Sequence, residues 1–137
     1  MVDSVGHRHL LEVERADPLQ AGDIDPELAR VGLSETEARA RKIAYRLFRI
    51  PIAAVLRTRT LSETRGFLKA LVDTTSDRIL GFTAFGVDAG EIMGSVQIAM
   101  IAGLPYLGLR DAIITHPTLL EGLIVLFSST PAVHPAA

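Results

Sequence analysis

Phe67-Leu68-Lys69-Ala70-Leu71-Val72, then Asp73-Thr74-Thr75-Ser76-Asp77-Arg78, then Ile79-Leu80-Gly81-Phe82-Thr83-Ala84-Phe85 is the stretch whose reading decides the fold. Two runs of apolar and β-forming residues flank six polar ones, the pattern of two strands and a connecting loop. Leu68, Ala70 and Val72 share one face, while Lys69 and Asp73 share the other with Leu71 between them. Clean alternation on one face predicts an antiparallel sheet packed on one side.

Downstream the period changes. Gly86 ends the second strand, and a helix is expected over residues 89–102. Its stripe is Ile92, Val96, Ala99 and Gly103, widened by Met93 and Met100. Gly86, Gly90 and Gly94 recur four apart and read as close packing on the sheet. Gly103 stops the helix. Residues 107–112 read as a short helix, and Ile113-Ile114-Thr115 as extended. Thr118 opens a last helix to about Phe127, and residues 130–137, with Pro131 and Pro135, read as a loose tail.

Upstream, Ser34 and Glu37 have the spacing of a capping box, so a helix should start there and end near Lys42. Asp25-Pro26-Glu27 opens a turn or helical turn to Val31, which Gly32 breaks. Residues 45–53 mix β-formers with Arg46 and Arg49, and Pro51 suggests an edge strand or its end. Residues 1–23 are polar and broken by Asp17-Pro18 and Ala21-Gly22-Asp23, an irregular lead-in. A hairpin followed by helices on one core gives the class α+β: an antiparallel sheet packed against helices as a two-layer sandwich.

Composition narrows the function classes. A chain of 137 residues has room for one domain that buries roughly two-thirds of its unfolded surface. Hydrophobic content of 48% against 22% charged suits a globular protein. The mean hydropathy of +0.31 is high for this size and implies either a generous core or apolar surface left for a partner. A net charge of -2 provides no field for nucleic acid, and 5% aromatics without Trp offer no base-stacking platform. With no cysteine, the chain forms no disulfide and no thiolate metal site. Neither a signal peptide nor a roughly 20-residue apolar span is legible, so the sequence reads as soluble and cytoplasmic, with no membrane partner. His7 and His9 lie two apart without a third ligand nearby, and no metal site is expected.

Thr115-His116-Pro117-Thr118-Leu119-Leu120-Glu121 carries the chemistry. Two readings compete. In the first, Thr118 is a helix N-cap and Glu121 completes its capping box, leaving His116 as a polar loop residue. In the second, Glu121 orients the His116 imidazole as a general acid or base and fixes which nitrogen carries the proton.

The motif has ordered neighbours: Thr64-Arg65-Gly66-Phe67-Leu68-Lys69, Asp77-Arg78-Ile79-Leu80-Gly81, Ala89-Gly90-Glu91, Ala102-Gly103, then His116-Pro117-Thr118 with Glu121. Asp25-Pro26-Glu27 and Val31-Gly32-Leu33-Ser34-Glu35 precede them. From about Ile24 to Ser129 this series resembles the C-terminal dimerisation domain of the FAD-dependent pyridine nucleotide–disulfide oxidoreductases. Glutathione reductase, dihydrolipoamide dehydrogenase and mercuric reductase belong to that family. The resemblance implies a dimerisation domain over residues 24–129 that pairs as a homodimer. It also implies that His116 enters the partner's active site and exchanges a proton with a redox thiol. Glu121 would orient it, and His116 and Pro117 would approach the partner's flavin.

The FAD and NAD(P) domains and the redox cysteines are absent from this sequence, so the chain alone is expected to bind no cofactor and to be inactive. The alternatives at this stage are an accessory subunit donating His116 to a flavin-bearing polypeptide, a truncated gene product, and a small-molecule binder.

Overall fold

A strand, not a helical turn, opens the region that the computed structural model describes, residues 26–136. The chain order is β1 (Leu28–Gly32), α1 (Glu35–Ala40), β2 (Tyr45–Pro51), a 3-10 turn (Ile52–Ala54), α2 (Leu56–Thr60), β3 (Phe67–Asp73), β4 (Ile79–Phe85), α3 (Ala89–Ile101), α4 (Tyr106–Arg110), α5 (Gly122–Ser128) and β5 (Ala132–His134). The described strands form one antiparallel sheet in the order β1-β4-β3-β2-β5. The class is α+β, as the hairpin and its helices imply.

The hairpin sits at the centre of the sheet. Leu68, Ala70 and Val72 of β3 and Phe82 and Ala84 of β4 are buried beneath the helices. α3 lies over β1 and β4, and α5 lies over β2 and β3. Ile92, Val96 and Met100 supply the inner stripe of α3, while Leu123, Leu126 and Phe127 supply that of α5. Each such large side chain contributes about 1.5–3 kcal/mol by leaving water. Phe48, Tyr106 and Phe127 close the core with ring centroids 5.2–5.6 Å apart. On the opposite face, α1 covers one end of the sheet through Ala38, Tyr45 and Leu71. Its capping box forms in both directions, with Ser34 Oγ accepting from the Glu37 amide at 3.1 Å and Glu37 Oε2 accepting from the Ser34 amide at 2.8 Å.

Four local expectations change. Residues 28–32 are extended because Val31 and Ala29 pair opposite Phe82 and Ala84, and five residues are too few to reveal a period. β2 is an edge only in its second half. β3 pairs along its whole length, and β5 covers Tyr45 to Leu47. The tail is therefore not loose throughout: Pro131 and Pro135 bracket a three-residue strand, and His134 stacks on Tyr45 with ring centroids 4.8 Å apart. The last helix starts at Gly122, not at Thr118.

The glycine stripe also divides. A Cβ at Gly94 would meet nothing within 4 Å, so this residue does not serve close packing on the sheet. A Cβ at Gly90 would meet Glu27 Oε1 at 2.6 Å. That carboxylate accepts the Gly90 N–H at 3.0 Å, across 63 positions of sequence. Glu27 thus caps α3 from the start of the domain. Asp88, the residue before the helix, is in the left-handed region and makes no side-chain cap. The lead-in at residues 1–23, with His7 and His9, lies outside the described residues.

Candidate functional site

The segment between α4 and α5 holds the predicted motif, and its first residues project outward. Ile113, His116 and Pro117 are exposed, and the His116–Pro117 bond is cis. The motif is pinned by its own hydrogen bonds. The Thr118 hydroxyl donates to the Thr115 carbonyl at 2.7 Å, while the Thr118 N–H donates to Glu121 Oε2 at 3.0 Å. The same carboxylate receives His116, whose Nδ1 lies 2.9 Å from Oε1 and 3.1 Å from Oε2. Glu121 therefore contacts both groups that the two sequence readings pair it with, the Thr118 amide and the His116 ring, and only half of the capping box exists. Thr118 turns its hydroxyl back to Thr115 instead of capping a helix, which is why α5 begins four residues later than its spacing suggests.

Packing carries this geometry into the core. Gly122 opens α5 directly after Glu121, and a Cβ there would meet Leu68 Cδ1 at 2.8 Å and Val55 Cγ2 at 2.9 Å. Leu123 and Leu126 are fully buried behind it. The carboxylate is thus held by a helix seated on the sheet, and it is largely covered, with its side chain 21% exposed.

The Thr118 amide above all, then the hydrogen bond and charge of His116, hold the Glu121 carboxyl below the ordinary glutamate range, against a partial desolvation that pushes it up. A carboxylate only accepts, so it requires the proton of a neutral imidazole on Nδ1 and leaves the lone pair on Nε2. The His116 side chain is 65% exposed. Among the described residues nothing engages Nε2. The pair can take up or release one proton at an oriented, outward nitrogen, and it has no nucleophile or redox group beside it.

Pro117 faces a different feature. With Thr118, Leu119 and Leu120 it lines an open cleft of about 700 Å³, closed on the other sides by Arg57 and Leu61 after β2 and by Asp88, Glu91, Ile92 and Ser95 of the α3 region. Three separate segments build it, and no sequence spacing announces it. The Thr115 carbonyl and Thr118 hydroxyl, which fix the loop, were equally silent in the sequence.

Residues 24–125 match the family described as "pyridine nucleotide-disulphide oxidoreductase, dimerisation domain". The chain is 45% identical over 103 residues to the probable pyridine nucleotide-disulfide oxidoreductase RclA of Escherichia coli, covering 75% of this chain and 23% of that protein. It is 37% identical over 98 residues to mitochondrial dihydrolipoyl dehydrogenase of Dictyostelium discoideum, covering 72% and 20%. A solved structure of the HOCl-induced flavoprotein disulfide reductase RclA from Escherichia coli superposes with a TM-score of 0.75 at 43% identity, covering 77% of this chain and 24% of that one. The chain spans less than a quarter of the length of these relatives.

Proposed function

From the premise that the chain belongs to the dimerisation-domain family of the pyridine nucleotide-disulphide oxidoreductases, we propose that it pairs with a second copy of itself and serves as the proton-handling part of an FAD-dependent NAD(P)H disulfide oxidoreductase-like site. The observation that carries this reading is the orientation of His116. Its Nδ1 is bound to Glu121 while Nε2, on a side chain 65% exposed, has no partner among the described residues. A base so placed is complete only when another chain supplies the group it acts on.

The chain's own residues fit the edge of a flavin site and not a flavin cradle. They offer an outward imidazole with Pro117 beside it, and the sequence has no Gly-rich phosphate-binding loop and no cysteine. A bound flavin and its dithiol supply the electron chemistry. His116 Nε2 accepts a proton from the thiol as its thiolate forms and returns it on reversal. Glu121 keeps the ring in the required tautomer and orientation. Pro117, exposed beside His116, would border the flavin that the partner holds.

Light scattering on the purified chain tests association, where a mass twice 14.8 kDa is expected. A monomer would overturn the homodimer. Mixing the chain with a polypeptide that carries FAD and NAD(P) domains and a redox cysteine pair tests the chemistry. Turnover should fall by about 100-fold or more with His116→Ala. Equal rates would remove His116 from the reaction.

A further inference from the structure

The face of the sheet opposite α3 and α5 is only half covered. α1 closes one end of it through Ala38, Tyr45 and Leu71. At the other end the register sets Pro51, Phe67, Phe85 and Leu28 side by side across β2, β3, β4 and β1. Pro51 and Leu28 are exposed and the two phenylalanines half-buried, with ring centroids 5.8 Å apart. The next row on the same face is Arg49, Lys69, Thr83 and Arg30. Lys69 is answered by Glu35 at 3.1 Å and Arg30 by Glu37 at 3.8 Å, both from α1. Arg49 is exposed and has no carboxylate partner among the described residues. Its guanidinium stands 4.4 Å from the centre of the Phe67 ring. Arg49, Pro51, Gly66 and the two rings enclose an open groove of about 420 Å³.

We propose that this groove is a ligand site for a small aryl carboxylate, whose ring packs on Phe67 and Phe85 and whose carboxylate pairs with Arg49. The site uses no residue of the His116 loop or of α3, so it stands whether or not two copies pair.

The lining selects this class of ligand. The row of charges leaves one cation unanswered, which favours an anion, and a guanidinium matches the plane of a carboxylate. Two tilted rings favour an aromatic body over an aliphatic one, because a third ring adds edge and face contacts. Gly66 brings no side chain into the groove, and a Cβ there would strike the Phe85 carbonyl. The volume is that of a small molecule. An added peptide strand suits the edge less well. β5 covers β2 only from Tyr45 to Leu47, and beyond it Pro51 has no N–H to offer.

The test titrates the full chain with 3-phenylpropionate, its uncharged amide and the matching 3-phenylpropylammonium cation, read by backbone amide shifts. The carboxylate should bind saturably, with a Kd on the order of 1 mM and shifts centred on Gly66, Phe67 and Phe85. The amide and the cation should bind about tenfold or more weakly. Arg49→Gln, at an exposed side chain, should cost the carboxylate about tenfold and leave the amide unchanged. Phe67→Leu should weaken carboxylate and amide together by about threefold. Equal affinities for the three probes, or a carboxylate indifferent to Arg49→Gln, would overturn the anion site. So would shifts centred on other residues, or no saturable shift at all. Shifts at these amides that track protein concentration without any probe would identify a second copy as the occupant and overturn it too. Should Phe67→Leu fail to fold, Arg49→Gln decides alone.

Discussion

At Glu121 one carboxylate holds two donors, the Thr118 amide and His116 Nδ1, and this double use has a measurable consequence. Its folded-state pKa is depressed below the ordinary 4.5. The stability it contributes is fully present above the unfolded value and is lost as pH falls through the folded one. Glu121→Gln should therefore melt below wild type by a nearly constant margin from about pH 5 to 7. The margin should shrink steadily below about pH 4.5, and a margin unchanged down to about pH 3 would count against the depressed carboxyl. Imidazole ¹⁵N shifts give a second readout: neutral His116 should carry its proton on Nδ1, and Glu121→Ala should abolish that preference. Residue types and a spacing of five marked this pair in the sequence. The division of Thr118 between an amide facing Glu121 and a hydroxyl facing Thr115 was not legible, because backbone and side chain of one residue turn opposite ways.

Elements were legible where local chemistry and tertiary packing agree. The Ser34–Glu37 box starts α1, and the alternation of residues 67–85 gives β3 and β4, because each pattern specifies its own partner. β1 and β5 are five and three residues long and owe their extension to the strands beside them, which no local window contains. Glu27 belongs to the same class of hidden information, since it caps a helix 63 residues away. Glu27→Ala should cost about 1 kcal/mol through the lost cap. Thermal unfolding would register that as a fall of roughly 4 °C, and an unchanged melting temperature would show that water replaces the carboxylate without loss. Gly122→Ala acts by the opposite route. Its Cβ would press on Leu68 and Val55, an overpacking that costs about 1–3 kcal/mol and lowers the melting temperature without touching a polar group.

For the whole molecule, the high mean hydropathy and the exposed Ile98, Ile101, Leu104 and Ile113 belong together. The core is already filled by the inner faces of the helices, so the apolar excess lies outside it, on surfaces that none of the described residues covers. If a second copy covers them, folding is linked to association and stability must depend on concentration. Each tenfold rise in protein should then add about 1.4 kcal/mol per dimer, and calorimetry over roughly a hundredfold range should show the melting temperature climbing with it. His116→Ala should climb in parallel with wild type, since the imidazole is exposed and its loss leaves the outer face of α3 unchanged. Ile98→Glu should melt at one temperature throughout. A wild-type temperature independent of concentration would separate folding from pairing, and the exposed isoleucines would then need a partner other than this chain.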